Sequence, residues 1–343
     1  MGVPGVEAAQ KTEPGGNGYV GRSLKRKEDP RLITGRATYV DDMVLPGMLH
    51  AAIVRSPEAH ARIVSIDTAA AKERPGVEAV FTGEHMGDMA APCPMVWAPP
   101  GVEMRVPEHW PLARGKVGYV GQAVAVVLGT DKYGVVDAAE DVIVEYDPLP
   151  VVTDPERALE DGAPVIHDEF GTNKVFEWSL PGGDVEGAFR DADVVVEKRI
   201  VNHRTAGAAI EPRGALAEWR LGKLTLWSST QIPHIARVIL SIQLGITEDK
   251  IRVVAPEVGG GFGSKLQVYG EEVLACWCAI KTNRPVKWTA TRSDEMAVSH
   301  HGRDQIDYVK IGAKRDGTVT GIHAKIIQDC GAYHLIEGPV IPT

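Results

Sequence analysis

The stretch best suited to chemistry is a glycine run, Val258-Gly259-Gly260-Gly261-Phe262-Gly263-Ser264-Lys265. Successive glycines let neighbouring backbone N–H groups converge on an anion or an oxo ligand at a helix start. A Walker-type phosphate loop needs Gly-Lys-Ser/Thr after four intervening residues, and here Ser264 precedes Lys265 with no glycine in the required place. The dinucleotide pattern G-x-G-x-x-G also fails, because Gly259 and Gly261 require a third glycine where Ser264 stands. ATP and NAD are therefore disfavoured. Taken alone, the run reads as a tight turn where two elements pack closely, and a buried Phe262 fits either that or a ligand cradle.

Two further motifs precede it, Glu211-Pro212-Arg213-Gly214-Ala215 and Thr230-Gln231-Ile232-Pro233-His234. A neutral amide such as Gln231 donates a hydrogen bond without adding charge beside an oxo group, although alone it reads as a strand-end or cap residue. Glu211 and Arg213 read as a structural ion pair or a domain-contact element. His203, His234, His300 and His301 lack metal-ligand spacing, so no metal-ligating residue is assigned. In His301-Gly302-Arg303-Asp304 the arginine and aspartate are expected to brace a loop, a cofactor-phosphate contact being the other reading. Cys93, Cys276, Cys278 and Cys330 match no zinc pattern and are read as reduced thiols.

The elements that must position these groups follow from hydrophobic period and turn chemistry. Met48 to Arg55, Val77 to Thr82 and the apolar run Ala123 to Leu128 read as strands. Beyond Asp131 a helix carries Val135, Ala138, Ala139 and Val142, and Val142 to Tyr146 is expected to close an α/β unit. Further strands are expected at Val194 to Ile200, Leu224 to Ser228 and Ile251 to Val254. A helix from Pro233 to Gly245 has Ile235, Val238, Ile239 and Ile242 as its apolar face. Leu266 to Ile280 reads as a second helix. Gln305 to Gly312 and Thr318 to Gln328 flank Asp316-Gly317, a hairpin signal.

With 343 residues, 44% apolar and 24% charged, the chain should form two or three globular domains. Its net charge of -9 includes no basic block that could follow a phosphate backbone, which disfavours nucleic acid. No window reaches about 18 consecutive apolar residues, and no apolar stretch follows a basic cluster at the start, so a cytoplasmic, soluble protein is expected. The ending Val340-Ile341-Pro342-Thr343 reads as cut rather than finished.

In their order, these motifs resemble the start of the cofactor-binding region of the molybdenum hydroxylases, which include xanthine dehydrogenase, aldehyde oxidase and aerobic carbon monoxide dehydrogenase. The earlier chain resembles that family's α/β hammerhead domain through Arg22 to Arg36, Tyr39-Val40-Asp41-Asp42, Leu45-Pro46-Gly47-Met48-Leu49, Arg55-Ser56-Pro57 and Ala59-His60-Ala61-Arg62-Ile63. Val117 to Val126 and Asp147-Pro148-Leu149-Pro150 match as well. The resemblance covers about 20 to 343 and is strongest to the carbon monoxide dehydrogenase branch.

What it implies is an α/β (α+β) architecture: a flexible tail at 1–18, a hammerhead domain at 19–150, a linker at 151–181, and the first, incomplete part of a mixed α+β molybdopterin-binding domain at 182–343. The implied cofactor is molybdenum held by a pterin dithiolene, in the cytosine dinucleotide form, oxidising carbon monoxide or hydroxylating an aldehyde or N-heterocycle with oxygen from water. Gln231 would hydrogen-bond an oxygen ligand of the metal, and Gly260, Gly261, Phe262 and Gly263 would lie against metal and pterin. The family's base glutamate is expected beyond Thr343, so no catalytic residue is assigned within this chain, and the fragment alone is expected to be inactive. Leu266 stands where purine-oxidising members carry a glutamate, which disfavours xanthine. Electrons would leave through a small iron–sulfur subunit and a medium FAD subunit, in a dimer of heterotrimers. The rival reading is a truncated or split-gene, non-catalytic interaction subunit.

Overall fold

The computed structural model describes residues 19, 22–95, 97–333 and 336, so the expected tail at 1–18 lies outside the described residues. Two compact units are present, 1–38 and 39–343. Among its described residues the first carries one short helix, α1 (Asp29–Ile33), with proline in its first turn and Arg26 hydrogen-bonded to Asp29 at 2.8 Å.

The second unit opens with β1 (Leu49–Arg55), β2 (Ala61–Asp67), α2 (Ala69–Glu73), β3 (Val77–Thr82), β4 (Lys116–Val117), β5 (Ala123–Gly129), α3 (Gly134–Glu140) and β6 (Ile143–Pro148). Every residue of β5 is buried, as expected of a strand covered on both faces, and it pairs antiparallel with β1 and β3. Asp131 starts α3 by accepting hydrogen bonds from the amides of Tyr133 and Gly134, at 3.1 and 2.7 Å. Val135 and Ala138 of α3 then pack on Val80, Ala125 and Val127. The α/β unit expected to close at Val142 to Tyr146 does not form as one sheet. Instead β6 pairs antiparallel with β2 in a separate sheet, β4-β2-β6. The physical reason is its alternation of exposed and half-buried residues, which suits a strand with one wet face and not a place beside β5.

The remaining elements are α4 (Val185–Arg190), β7 (Val194–Asn202), β8 (Gly214–Arg220), β9 (Lys223–Ser228), α5 (Pro233–Leu244), β10 (Ile251–Val254), α6 (Gly270–Thr282), β11 (Val286–Thr289), α7 (Arg292–Val298), β12 (Gln305–Ala313) and β13 (Val319–Gln328). Strands β12 and β13 form the expected hairpin, and β7 adds to the other side of β12. Helix α5 has proline in its first turn and ends at Gly245, but its buried face is Ala236, Ile239, Leu240 and Gln243. Val238 and Ile242, expected inside, are 39% and 43% exposed. Helix α6 begins at Gly270 rather than near Leu266, because residues 261–266 are spent on tight turns: Ser264 N–H donates to Gly261 O and Leu266 N–H to Gly263 O. Its residues Glu271 to Ala279 are all buried, as for a helix inside the core.

One seven-stranded sheet, ordered β10-β9-β8-β11-β1-β5-β3, contains strands from both sides of the expected linker. The joint is the parallel pair β1–β11, with Leu49 opposite Val286 and His50 opposite Lys287. A single apolar core accordingly holds Leu49 and Leu128 together with Leu274 and Trp277 of α6. Lys287, buried at this joint, satisfies its ammonium on the carbonyls of Asp41 and Met43 at 2.8 and 2.9 Å.

A buried ionic cluster spans the same joint. Glu271 receives Arg55 Nη2 of β1 at 2.8 Å on one oxygen and Arg213 Nη1 at 3.2 Å on the other. Arg55 also reaches Asp294 at 2.8 Å, and Glu295 accepts the Arg213 amide at 2.9 Å. Burial alone would raise the Glu271 pKa, but Arg213 and Arg55 overcome it and hold the carboxyl at about 2, below its ordinary 4.5. A depressed carboxyl contributes stability that is present above the unfolded-state value and lost as pH falls through the folded one, here about 3 kcal/mol between pH 4.5 and about 2. Urea unfolding of the intact protein over pH 2 to 6 should therefore show a steep acid loss that Glu271→Gln, already weakened at pH 6, lacks. An acid limb of equal slope in the variant would contradict this role.

Candidate functional site

The residues between β9 and α5 are laid against the glycine run by backbone hydrogen bonds. Ser229 N–H donates to Gly214 O at 3.1 Å, and Gly214 N–H returns to Ser229 Oγ at 2.9 Å. Gln231 N–H donates to Lys265 O at 2.9 Å, and Thr230 Oγ1 reaches the same carbonyl at 3.4 Å. This brings the Gln231 side chain over the loop, where its Oε1 accepts Gly263 N–H at 3.1 Å. The two motifs singled out in the sequence are thus in direct contact.

Gly261 leaves the space that the Gln231 side chain occupies. A Cβ there would lie 2.5 Å from both Cδ and Oε1 of Gln231, so any side chain displaces the glutamine. Gly260 and Gly263 have φ of 106° and 83°, and Phe262 between them has φ of 52°. A non-glycine residue in this left-handed region costs roughly 1 kcal/mol or more and is commonest at functional loops. The expectation of a buried Phe262 is wrong: the residue is 77% exposed. The positive φ turns its side chain out of the layer, and in the described residues its ring would crowd any Cβ on Gly260, at 2.8 Å.

Because Oε1 of Gln231 accepts from Gly263, the amide orientation is set and Nε2 is left to donate elsewhere. Among the described residues Nε2 has no acceptor, and the amides of Gly260, Gly261 and Phe262 make no hydrogen bond. Uncharged donors around a cradle that one Cβ would fill fit the oxygen-bearing, anionic cofactor implied by the sequence resemblance.

Glu211 and Arg213 do not pair with each other. Glu211 Oε2 accepts Gly259 N–H at 2.7 Å and the Lys265 ammonium at 2.9 Å, while Arg213 belongs to the Glu271 cluster and lies over the Tyr269 ring at 3.7 Å. Sequence reasoning missed Lys265, whose side chain is 0% exposed, and Tyr269. The Tyr269 hydroxyl donates to Ser264 O at 2.6 Å and accepts His300 N–H at 3.1 Å, and burial raises its pKa above the ordinary phenol value. The available signal for Lys265 was a lysine directly after a glycine loop, where a buried ammonium needs a carboxylate.

The other polar groups have local partners. Asp304 braces Arg204 at 2.7 Å, and Arg204 also reaches Asp329 at 3.0 Å. His301 is held by the Tyr333 hydroxyl and Asp329 O, and burial, with His301 and Arg204 nearby, lowers the His300 pKa to about 4, leaving it neutral near pH 7. Among the described residues no group of three or more His, Cys, Asp or Glu side chains could hold a metal ion. The four cysteines are free, and burial first, then Glu272 or Asp329 respectively, pushes Cys93 and Cys330 up to about 12. A groove of about 1870 Å³, lined by parts of 151–186 and 322–333, does not include Gln231 or the glycine loop.

Gly261→Ala should displace Gln231, free the Gly263 amide and raise hydrogen–deuterium exchange of the peptide covering 259–266 several-fold. Gly182→Ala, with nothing near its Cβ, should leave it unchanged. Equal loop exchange in the two variants would refute the contact.

Residues 166–343 match the model of the molybdopterin cofactor-binding domain, and residues 34–150 match that of the aldehyde oxidase and xanthine dehydrogenase a/b hammerhead domain. The chain is 38% identical over 319 residues to the nicotine 6-hydroxylase large subunit of Paenarthrobacter nicotinovorans, covering 92% of this chain and 39% of that protein. It is 36% identical over 337 residues to the carbon monoxide dehydrogenase large chain of Afipia carboxidovorans, covering 93% and 40%. The solved structure of quinoline 2-oxidoreductase from Pseudomonas putida 86 superposes with a TM-score of 0.86 at 36% identity, over 92% of this chain and 40% of that one. The chain thus spans about two fifths of the length of these relatives.

Proposed function

The chain belongs to the molybdenum hydroxylase large-subunit family, and from that premise we propose that Gln231, Gly260, Gly261, Phe262 and Gly263 form its face toward a molybdenum–pterin cofactor. The observation that carries this reading is the Gln231 side chain lying across Gly261 and locked by Gly263 N–H, with its own Nε2 and three loop amides unpaired among the described residues. When bound, the cofactor would supply two-electron oxidation of a carbon centre with oxygen drawn from water. The chain's own residues would bind and orient. Gln231 Nε2 donates without bringing charge, the loop amides add donors that need no side chain, and the Phe262 ring offers an apolar surface beside them.

The substrate proposed is an aromatic N-heterocycle, an aldehyde or carbon monoxide. Nicotine and quinoline, named in two of the relatives, support the first, and the carbon monoxide dehydrogenase large chain supports the last. Leu266, half-buried after Lys265, offers no carboxylate where purine-oxidising members have one, so xanthine is proposed as a poor substrate. The base glutamate belongs to a part of the full subunit outside these residues. The cytosine dinucleotide form of the pterin, a small iron–sulfur subunit, a medium FAD subunit and a cytoplasmic location complete the proposal. The relative described as subunit gamma of a 6-hydroxypseudooxynicotine dehydrogenase complex supports such partners. Among the described residues no helix is long and apolar enough to cross a membrane. The proposed modules are a tail at 1–18, a hammerhead domain at 19–150, a linker at 151–181 and the start of the cofactor-binding domain at 182–343.

The second reading, a non-catalytic interaction subunit, is separated from the first by the metal. Complex purified natively from a molybdenum-replete host should contain molybdenum and pterin in stoichiometric amounts, and Gln231→Ala should retain both while losing about 100-fold in kcat, the scale for one oriented donor. A wild-type complex that never carries either would sink the enzyme reading.

A further inference from the structure

We propose that Glu211 is a positioning residue for the glycine loop, fixing the separation between the loop amides and Gln231. A single oxygen, Oε2, accepts Gly259 N–H at 2.7 Å where the loop begins and Lys265 Nζ at 2.9 Å where it ends. The Glu211 backbone adds a third tie, its N–H donating to Gly259 O at 3.2 Å. Lys265 then passes the constraint on, because its carbonyl accepts both Gln231 N–H and the Thr230 hydroxyl. The line Gly259, Glu211, Lys265, Gln231 therefore joins both ends of the loop to the residue lying across its middle.

Stability alone does not call for such an arrangement. An ion pair whose lysine is wholly buried is often no better for folding than a well-packed apolar pair of the same volume. An apolar pair, however, would leave Gly259 N–H without an acceptor and the two ends of the loop without a common anchor. The loop also has work to oppose, since Gly260, Phe262 and Gly263 all sit at positive φ. Two residues on, Arg213 ties the same segment to Glu271 at the start of α6, so the carboxylate is itself held by the core.

The inference rests on the reading of the loop as a cofactor face, and two measurements keep the two claims separate. Hydrogen–deuterium exchange of the full complex would follow the peptide covering Gly259 to Leu266 against one covering β5, with molybdenum content measured in parallel. In Glu211→Gln, loop exchange should rise by about tenfold or more with β5 unchanged, the mark of local rather than global opening, and molybdenum content should fall. The double variant Glu211→Gln, Lys265→Met removes the buried charge and keeps the volume, so it guards against simple misfolding. It should fold with native β5 protection and still show the loosened loop. Native loop exchange in the double variant, or equal loss of protection in β5 and the loop in both variants, would overturn the proposal. A wild-type complex lacking molybdenum would overturn the cofactor reading, and loop exchange would still decide the role of Glu211.

Discussion

The Glu271 carboxylate, gripped by Arg55 on one side and Arg213 on the other, is the constraint on which the rest of the structure hangs. Arg55 comes from β1, Arg213 from the residue before β8, and Glu271 from the first turn of the buried helix α6. A buried charge cluster of this kind contributes to stability only when nearly every member is satisfied, and removing one partner costs several times what a surface pair would. Here the Tyr269 and Trp288 rings lie 3.7 and 5.3 Å from the Arg213 guanidinium and take up part of the charge that hydrogen bonds leave over. Nε and Nη2 of Arg213 and Oε1 of Glu295 still lack hydrogen bonds, so the cluster retains a desolvation cost that its ion pairs must offset.

That cost makes sense beside the glycine loop. The segments that build the cluster, 211–213 and 269–271, are the ones that support the loop: Glu211 takes Gly259 and Lys265, and Tyr269 takes Ser264 O. The loop's own hydrogen bonds close only the short turns at 261–266, three of its residues sit at positive φ, and precise donor placement needs a shell with little freedom. The ionic cluster and the Tyr269 ring supply that shell from beneath, while Gln231 closes the loop from above. The chemistry proposed for the exposed side thus depends on charges that never meet a ligand.

Much of this was legible in the sequence, and the misses have physical causes. The six-residue apolar run became the wholly buried strand β5, and Asp316-Gly317 became the β12–β13 hairpin, because each pattern is self-contained. Strand β11 was not foreseen: it is four residues long with Lys287 inside it, tolerable only because carbonyls 246 and 244 residues away receive the ammonium. Helix α6 was started too early because Leu266 opens an apolar run, whereas the turns that end the glycine loop use that residue first. Gln231 and the loop could be matched as motifs. The partners of Glu211 could not, since they lie 48 and 54 residues away, and nothing local distinguishes them from the neighbouring Arg213. Phe262 was judged by its side chain, while its backbone decided its exposure.

The most direct test of the central claim is the anomalous scattering peak of molybdenum in crystals of the natively purified complex. The peak is expected beside the Gly260 to Gly263 loop, with Gln231 Nε2 donating at about 3 Å to an oxygen of the cofactor. A peak elsewhere in the subunit, or a Gln231 side chain turned away from the cofactor, would contradict it.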